Sequence, residues 1–183
     1  MKIIGIDPGL DGGISIMIDG TLVNLIQMPV TIEITKKKTK KGEFKQMRHI
    51  DAYKLADILF SHKDAKIYME KVNPFAGMGS FQSTRMATSI GRIEGIMIGM
   101  GLKFIYVTPG QWQKDVWHEK DRVMRKTPDK KTKQGNTDTK ATSLNAALRL
   151  FPNVNFIPKG DRTPHDGLFD SALIAEHGRR CEQ

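Results

Sequence analysis

Two turn signals crowded into the first 28 residues restrict the fold more than any other feature of this chain. KIIGID is rich in strand-forming residues and stops at Pro8-Gly9; a second apolar run starts at Gly13, and Asp19-Gly20 parts it from a third over residues 21–28. Glycine reaches positive φ at little cost, so Asp-Gly between two such runs is a tight hairpin turn. The gaps are too short to hold a crossover helix, which predicts three adjacent antiparallel strands over residues 2–7, 13–18 and 21–28.

The remainder alternates. Asp51 is placed to cap a helix over 53–59, residues 66–70 read as a strand, and together they form a crossover unit. Residues 80–100 predict a long helix and 103–107 a strand. Pro109 opens a short helix whose Trp112, with Trp117 just beyond, reads as a packing anchor. Residues 139–150 form another helix, and a last one starts within 163–166 and stops at Gly178. This order predicts an α/β fold, a hairpin-rich mixed sheet with flanking helices, and not the repeated βα units of a dinucleotide-binding fold. The 183 residues suit one compact domain. Residues 35–47 and 120–138 read as basic loops of this domain, TPDKKTKQGNTD (127–138) lacking any hydrophobic period.

Charge is concentrated on those stretches. The chain carries 29 Lys and Arg against 20 Asp and Glu, a formal +9. Residues 36–49 hold seven of the basic residues and one acid; residues 114–140 hold nine and five; the rest is close to neutral. A near-neutral body with two basic excursions suits a polyanionic partner, and nominates Lys36, Lys37, Lys38, Lys40, Lys41, Lys130, Lys131 and Lys133 as phosphate contacts. The lone Cys181 excludes an internal disulfide framework and a cysteine-rich zinc cluster. No stretch has the length and apolarity of a membrane span, and the N-terminus lacks the pattern of a secretory signal. The expectation is a bacterial cytoplasm or that of a phage-infected host.

Against this basic background the acids stand out by position. Asp7 ends the first strand, Glu70 ends the strand IYME, and Asp166 and Asp170 open the last helix, four residues apart and so on one face. If the first strand and 66–70 are neighbours, these carboxylates meet at the carboxyl ends of the strands. Converging like charges are costly without a cation. Hard oxygen donors select Mg²⁺, with Mn²⁺ as a substitute, and two such ions activate water and stabilise the leaving oxygen in phosphodiester hydrolysis. His165 is open as a ligand, a water-orienting group or a structural cap.

The motifs IIGIDPGLDGG, IYMEKV, SFQSTRMATSIGRIEG, TKATSLNAALRLFP and HDGLFDSALIAEHG, in this order, resemble the RuvC-like Holliday-junction resolvases of the ribonuclease-H-like superfamily. The resemblance implies a ribonuclease-H-like fold with catalytic acids at Asp7, Glu70 and Asp170. Many relatives carry an acid or histidine three positions before the last aspartate; here that position is Gly167, with Asp166 and His165 just upstream. We favour Asp166 as the fourth metal ligand, with His165 assisting. The resemblance also nominates Lys114, in GQWQK, and Lys140, in DTKATSLNAALRL, as active-site cations. In some relatives an aromatic residue after the strand glutamate enters the opened junction; here Phe75, in NPFAGMGSF, is displaced from that place, and Phe75 or Phe81 is left to stack on a base, with Arg85 nearby on the helix to meet the backbone.

The expected activity is a metal-dependent, structure-selective endonuclease that resolves four-way DNA junctions in recombination and repair. A homodimer with two active sites would make the paired cuts, and residues 80–100, with Gly91, Gly95 and Gly99, supply either its interface helix or a close packing inside the chain. The alternatives are a broader debranching or flap nuclease, and a catalytically silent structural DNA-binding protein.

Overall fold

The computed structural model describes residues 1–73, 78–125 and 137–183. Strands β1 (Lys2–Asp7), β2 (Gly13–Ile18) and β3 (Thr21–Gln27) form the expected antiparallel meander. Helix α1 (Ala52–Phe60) is capped by Asp51, whose side chain accepts from the Lys54 amide. It leads to β6 (Lys66–Glu70), which pairs with β1 in parallel, and β7 (Phe104–Val107) joins the far side. The main sheet therefore has the order β3-β2-β1-β6-β7.

Helices cover both faces. On one side Ile4, Ile6, Ile67 and Met69 pack with α1 and with α2 (Ser80–Gly99); on the other, Ile3, Tyr68 and Val107 pack with α3 (Pro109–Val116), α4 (Thr139–Leu150) and α5 (Asp166–Cys181). The split follows the two-residue period of a strand. Odd residues of β1 and even residues of β6 face α5, a parity that includes Asp7 and Glu70.

Helix α5 lies directly on the sheet. A Cβ added to Gly5 would fall 2.1 Å from the Ser171 carbonyl oxygen, so only glycine admits this approach. The Ser15 and Ser171 hydroxyls, both buried, bond to each other at 2.6 Å beside the contact. Gly178 does not stop the helix. It sits beneath the Tyr68 ring, where a Cβ would meet the ring at 2.5 Å, and the helix runs on to Cys181. The glycine serves close packing rather than termination.

The basic stretch 35–47 is also a correction. It is not a loop: β4 (Val30–Lys38) and β5 (Phe44–Ile50) form a separate two-stranded ribbon, turning at residues 39–43. Only its base reaches the core, through Ile50, which pairs with half-buried Val30; beyond it Ile32, Ile34 and Phe44 are exposed. The second basic stretch holds a 3₁₀ turn (Glu119–Asp121) and a bridge between Met124 and Thr137, and residues 126–136 are outside the described part. On α2, Gly91, Gly95 and Gly99 would each meet nothing within 4 Å if given a Cβ, so among the described residues they pack against no other element. No helix among the described residues is long and apolar enough to cross a membrane.

Candidate active site

Parallel pairing of β1 with β6 runs in register up to Ile6 and Met69, so the next residues, Asp7 and Glu70, end neighbouring strands on the same face. The third participant arrives by backbone packing. A Cβ on Gly167 would lie 2.5 Å from the Asp11 carbonyl oxygen, and one on Gly13 only 2.3 Å from the Gly167 oxygen. The start of α5 is thus pressed onto the β1–β2 turn, and Asp166 and Asp170 come with it. Gly167 is where the sequence departs from the acid or histidine of many resolvases, and in this chain the contact leaves no room for a side chain there.

The acids feel one another. Asp7 has its carboxyl pushed well above the usual range, first by burial and then by the charges of Asp170, Glu70, Asp166 and Asp11. Asp170 is pushed up to about 7, mainly by burial, with Glu70 and Asp166 adding to the rise and a Ser143 hydrogen bond opposing it. Its Oδ1 is buried with no hydrogen-bond partner. Burial also raises Glu70, opposed by Trp112, whose indole N–H donates to Glu70 Oε1 at 2.9 Å. Such uncompensated carboxylates bind either protons or a cation.

One cation is built in. Lys140, in the first turn of α4, forms an ion pair with Asp166, which holds its ammonium above the ordinary range; Asp170 and Asp138 act in the same sense. His165 is the N-cap residue of α5 but makes no side-chain cap bond, and its Nδ1 is buried without a partner. The donor set suits a hard divalent ion: four carboxylates, one with an orphaned buried oxygen. Among the described residues, no three or more His, Cys, Asp or Glu side chains are already grouped at metal-binding spacing. The acids share one electrostatic field without a closed cage, and Asp166 is turned to Lys140.

No protein-family model and no curated protein matches the sequence. Solved structures do. Thermus thermophilus RuvC in complex with a Holliday junction substrate aligns over 99% of this chain and 96% of that one, with a TM-score of 0.56 at 11% identity. A second Thermus thermophilus RuvC structure aligns over 100% and 97%, with a TM-score of 0.52 and again 11% identity. The chain has the fold of RuvC.

On this RuvC fold the remaining nominated residues spread out. Lys114 is exposed on α3, two residues past Trp112 and hence on a different helix face, and it is not among the charges that shift Asp7, Glu70 or Asp170. Lys36, Lys37 and Lys38 end β4, and Lys40 and Lys41 lie in the ribbon turn, all exposed. Lys38 stands over the Phe44 ring, as Arg85 stands over the exposed Phe81 on α2. Phe75, Lys130, Lys131 and Lys133 fall outside the described residues.

Three site residues escaped the sequence reading. Trp112 reads as a packing anchor, and it is 1% exposed, yet its N–H also fixes Glu70. Ser143 is a small buried residue on α4, inside TKATSLNAALRLFP, and nothing in that motif marks it as a partner of Asp170. Arg48, which bonds to Asp11 in the turn that follows Asp7, counted only as one more positive charge. The sole sequence signal for any of them is the indole N–H, which needs a partner when buried.

Proposed function

We propose that this chain is a divalent-metal-dependent endonuclease that acts on branched DNA, four-way junctions foremost, and hydrolyses phosphodiester bonds in pairs as a homodimer. The observation that carries this reading is the approach of half-buried Asp7 and Glu70, at the strand ends, to Asp170 at the start of α5, with raised proton affinities and an unpartnered, buried Asp170 oxygen. Together with the RuvC fold, it favours a nuclease over a silent DNA-binding protein.

Asp7, Glu70, Asp170 and Asp166 would hold Mg²⁺, with Mn²⁺ as a substitute. When bound, such ions neutralise the acids, polarise the phosphodiester and lower the pKa of water. The protein's own groups prepare the site. Trp112 ties one Glu70 oxygen and leaves the other for the ion. Lys140 supplies a positive charge beside Asp166, suited to a phosphate that gains charge as it reacts. His165 keeps a free, buried Nδ1 at the start of α5 as an assisting group. The ribbon lysines grip backbone, Arg85 does so beside the Pro8–Asp11 turn, and Lys114, exposed on α3, extends that grip. The dimer reading is supported by Gly91, Gly95 and Gly99 along an uncovered face of α2, near exposed Ile98.

The test is a cleavage panel in Mg²⁺ and in EDTA with four-way, Y-shaped, flap and linear DNA and an RNA–DNA hybrid, with cut positions mapped. The proposal expects paired, Mg²⁺-dependent cuts near the crossover of the four-way junction, leaving 5′-phosphate and 3′-hydroxyl ends. Equal cutting of every form replaces junction selectivity with a broader debranching activity. Tight junction binding without product in any divalent metal assigns a structural DNA-binding role instead.

A further inference from the structure

The basic ribbon and the acidic corner are joined by one side chain. Arg48, on β5, donates from Nη1 to Asp11 Oδ1 and from Nη2 to the Leu10 carbonyl oxygen, both at 2.7 Å. These acceptors lie in the turn between β1 and β2, only three and four residues past Asp7. We infer that Arg48 is a positioning residue, which fixes the register between DNA held on the β4–β5 ribbon and the loop that carries Asp7. The inference rests on the nuclease reading above.

Both ends of this link are stiff. In the turn, the Gly9 amide donates to the Asp7 carbonyl and the Gly12 amide to the Gly9 carbonyl, each at 3.1 Å, while the Gly12 carbonyl accepts from the Met28 amide at 3.0 Å. The chain is so close-wound that a Cβ on Gly12 would lie 2.0 Å from the Asp7 oxygen. The Leu10 side chain packs against the core on the α2 side of the sheet. A displacement of Leu10 is therefore passed to Asp7 rather than absorbed between them.

On the ribbon, Val30 and Ile50 pair at the base, the Asp51 amide donates to the Pro29 carbonyl at 2.9 Å, and Arg92 of α2 donates to the Ile50 carbonyl at 3.2 Å. These contacts hold the base alone. Farther out the two strands pair with each other and β5 borders a cavity shared with Phe81, Thr84 and Arg85 of α2; among the described residues, Arg48 is the side chain that bonds the ribbon to the β1–β2 turn. Without it, lysines at the far end would still hold DNA, but the ribbon would pivot at its base relative to the acids.

The geometry separates this role from phosphate binding. Both hydrogen-bonding arms of the guanidinium are engaged, one by an opposite charge, so Arg48 contributes little free positive charge to the ribbon. The planar fork is needed, because one donor group has to reach a carboxylate and a main-chain oxygen at once; a lysine ammonium, a point charge, makes this bridge poorly. Position matters to chemistry because a misplacement of about 1 Å costs up to roughly a hundredfold in rate.

The experiment compares Arg48→Ala, Arg48→Lys, Asp11→Asn and the Arg48→Ala/Asp11→Asn double variant in the full chain. Junction affinity and its salt dependence are measured in EDTA, single-turnover cleavage at saturating protein in Mg²⁺, and hydrogen exchange at the Gly12 and Met28 amides without DNA. Arg48→Ala should lower the saturated cleavage rate about tenfold, keep the dissociation constant within about twofold with the same salt slope, and speed exchange at the two amides. Asp11→Asn should give a smaller loss of the same kind, the double variant should be no worse than Arg48→Ala, and Arg48→Lys should recover only part of the rate. A weaker affinity with a shallower salt slope would make Arg48 a phosphate contact and overturn the inference, as would additive losses in the double variant. Wild-type cleavage matched by Arg48→Ala removes the positioning role alone. Failure of the wild type to cut any branched DNA removes the nuclease reading, and this role with it.

Discussion

The ribbon and the acidic corner are built on opposite principles. The ribbon is exposed, basic, and paired mainly with itself, with Ile34 68% and Phe44 54% accessible. The corner is half-buried and acidic, and backbone contacts at Gly12, Gly13 and Gly167 leave it no slack. Each lysine on the ribbon adds a similar, salt-screened share to the attraction for a polyanion, so no single one is decisive. At the corner each group is fixed by particular neighbours: Glu70 by Trp112, Asp166 by Lys140, Asp170 by the seat of α5. Affinity is therefore distributed and tolerant of substitution, whereas chemistry is concentrated and intolerant.

The largest break in this contrast should come from Asp7→Asn. It removes a metal-binding oxygen charge and leaves the ribbon alone, so cleavage should fall on the order of a thousandfold, about 4 kcal/mol in barrier, with junction binding nearly unchanged. Near-normal cleavage would remove Asp7 from the site. Next is Gly167→Ala, where the new methyl group meets backbone atoms at 2.3 Å rather than a movable side chain. Thermal or urea unfolding should show a loss of about 3 kcal/mol; a loss below about 0.5 kcal/mol would mean that α5 is seated otherwise.

Trp112→Phe keeps most of the packing and deletes the donor to Glu70. Mg²⁺ affinity, or cleavage at limiting Mg²⁺, should fall about tenfold, as is usual when the partner that orients a metal ligand is lost. An unchanged Mg²⁺ response would return Trp112 to a packing role only. A further effect is one of pH. Asp170 has a folded-state pKa near 7 against an ordinary 3.8, so the folded protein binds more protons than the unfolded chain between those values. Its contribution is fully present below about pH 4 and lost as pH rises towards 7. Melting in EDTA should show wild type losing stability relative to Asp170→Asn across that window. A relative gain would reverse the assigned cause.

What could be read from the sequence follows the same divide. The β1–β3 meander was legible because its turns are local, and Asp7 and Glu70 were legible because each ends an apolar strand. The ribbon was not. VTIEITKKK and FKQMRHI bury only Ile50, at their base, so the lysines outweigh any apolar period and the stretch reads as a loop. Its strands are held by pairing with each other rather than by burial, and pairing leaves little trace in composition. Gly178 failed as a stop signal for a tertiary reason, the Tyr68 ring above it. Trp112 and Arg48 were visible as residue types, but their partners are 42 and 37 positions away. No local pattern predicts such distant contacts.

The central claim, that the ribbon holds DNA while the acids cut it, is tested most directly by measuring affinity and saturated single-turnover cleavage on one four-way junction for two variants. One is Asp170→Asn; the other replaces Lys36, Lys38 and Lys40 with alanine. Asp170→Asn should bind as wild type does and fail to cut. The lysine variant should bind roughly tenfold more weakly, with a salt slope reduced by about two to three, and cut within about threefold of the wild-type rate once saturated. Loss of binding and cutting in parallel in both variants would contradict the division of labour.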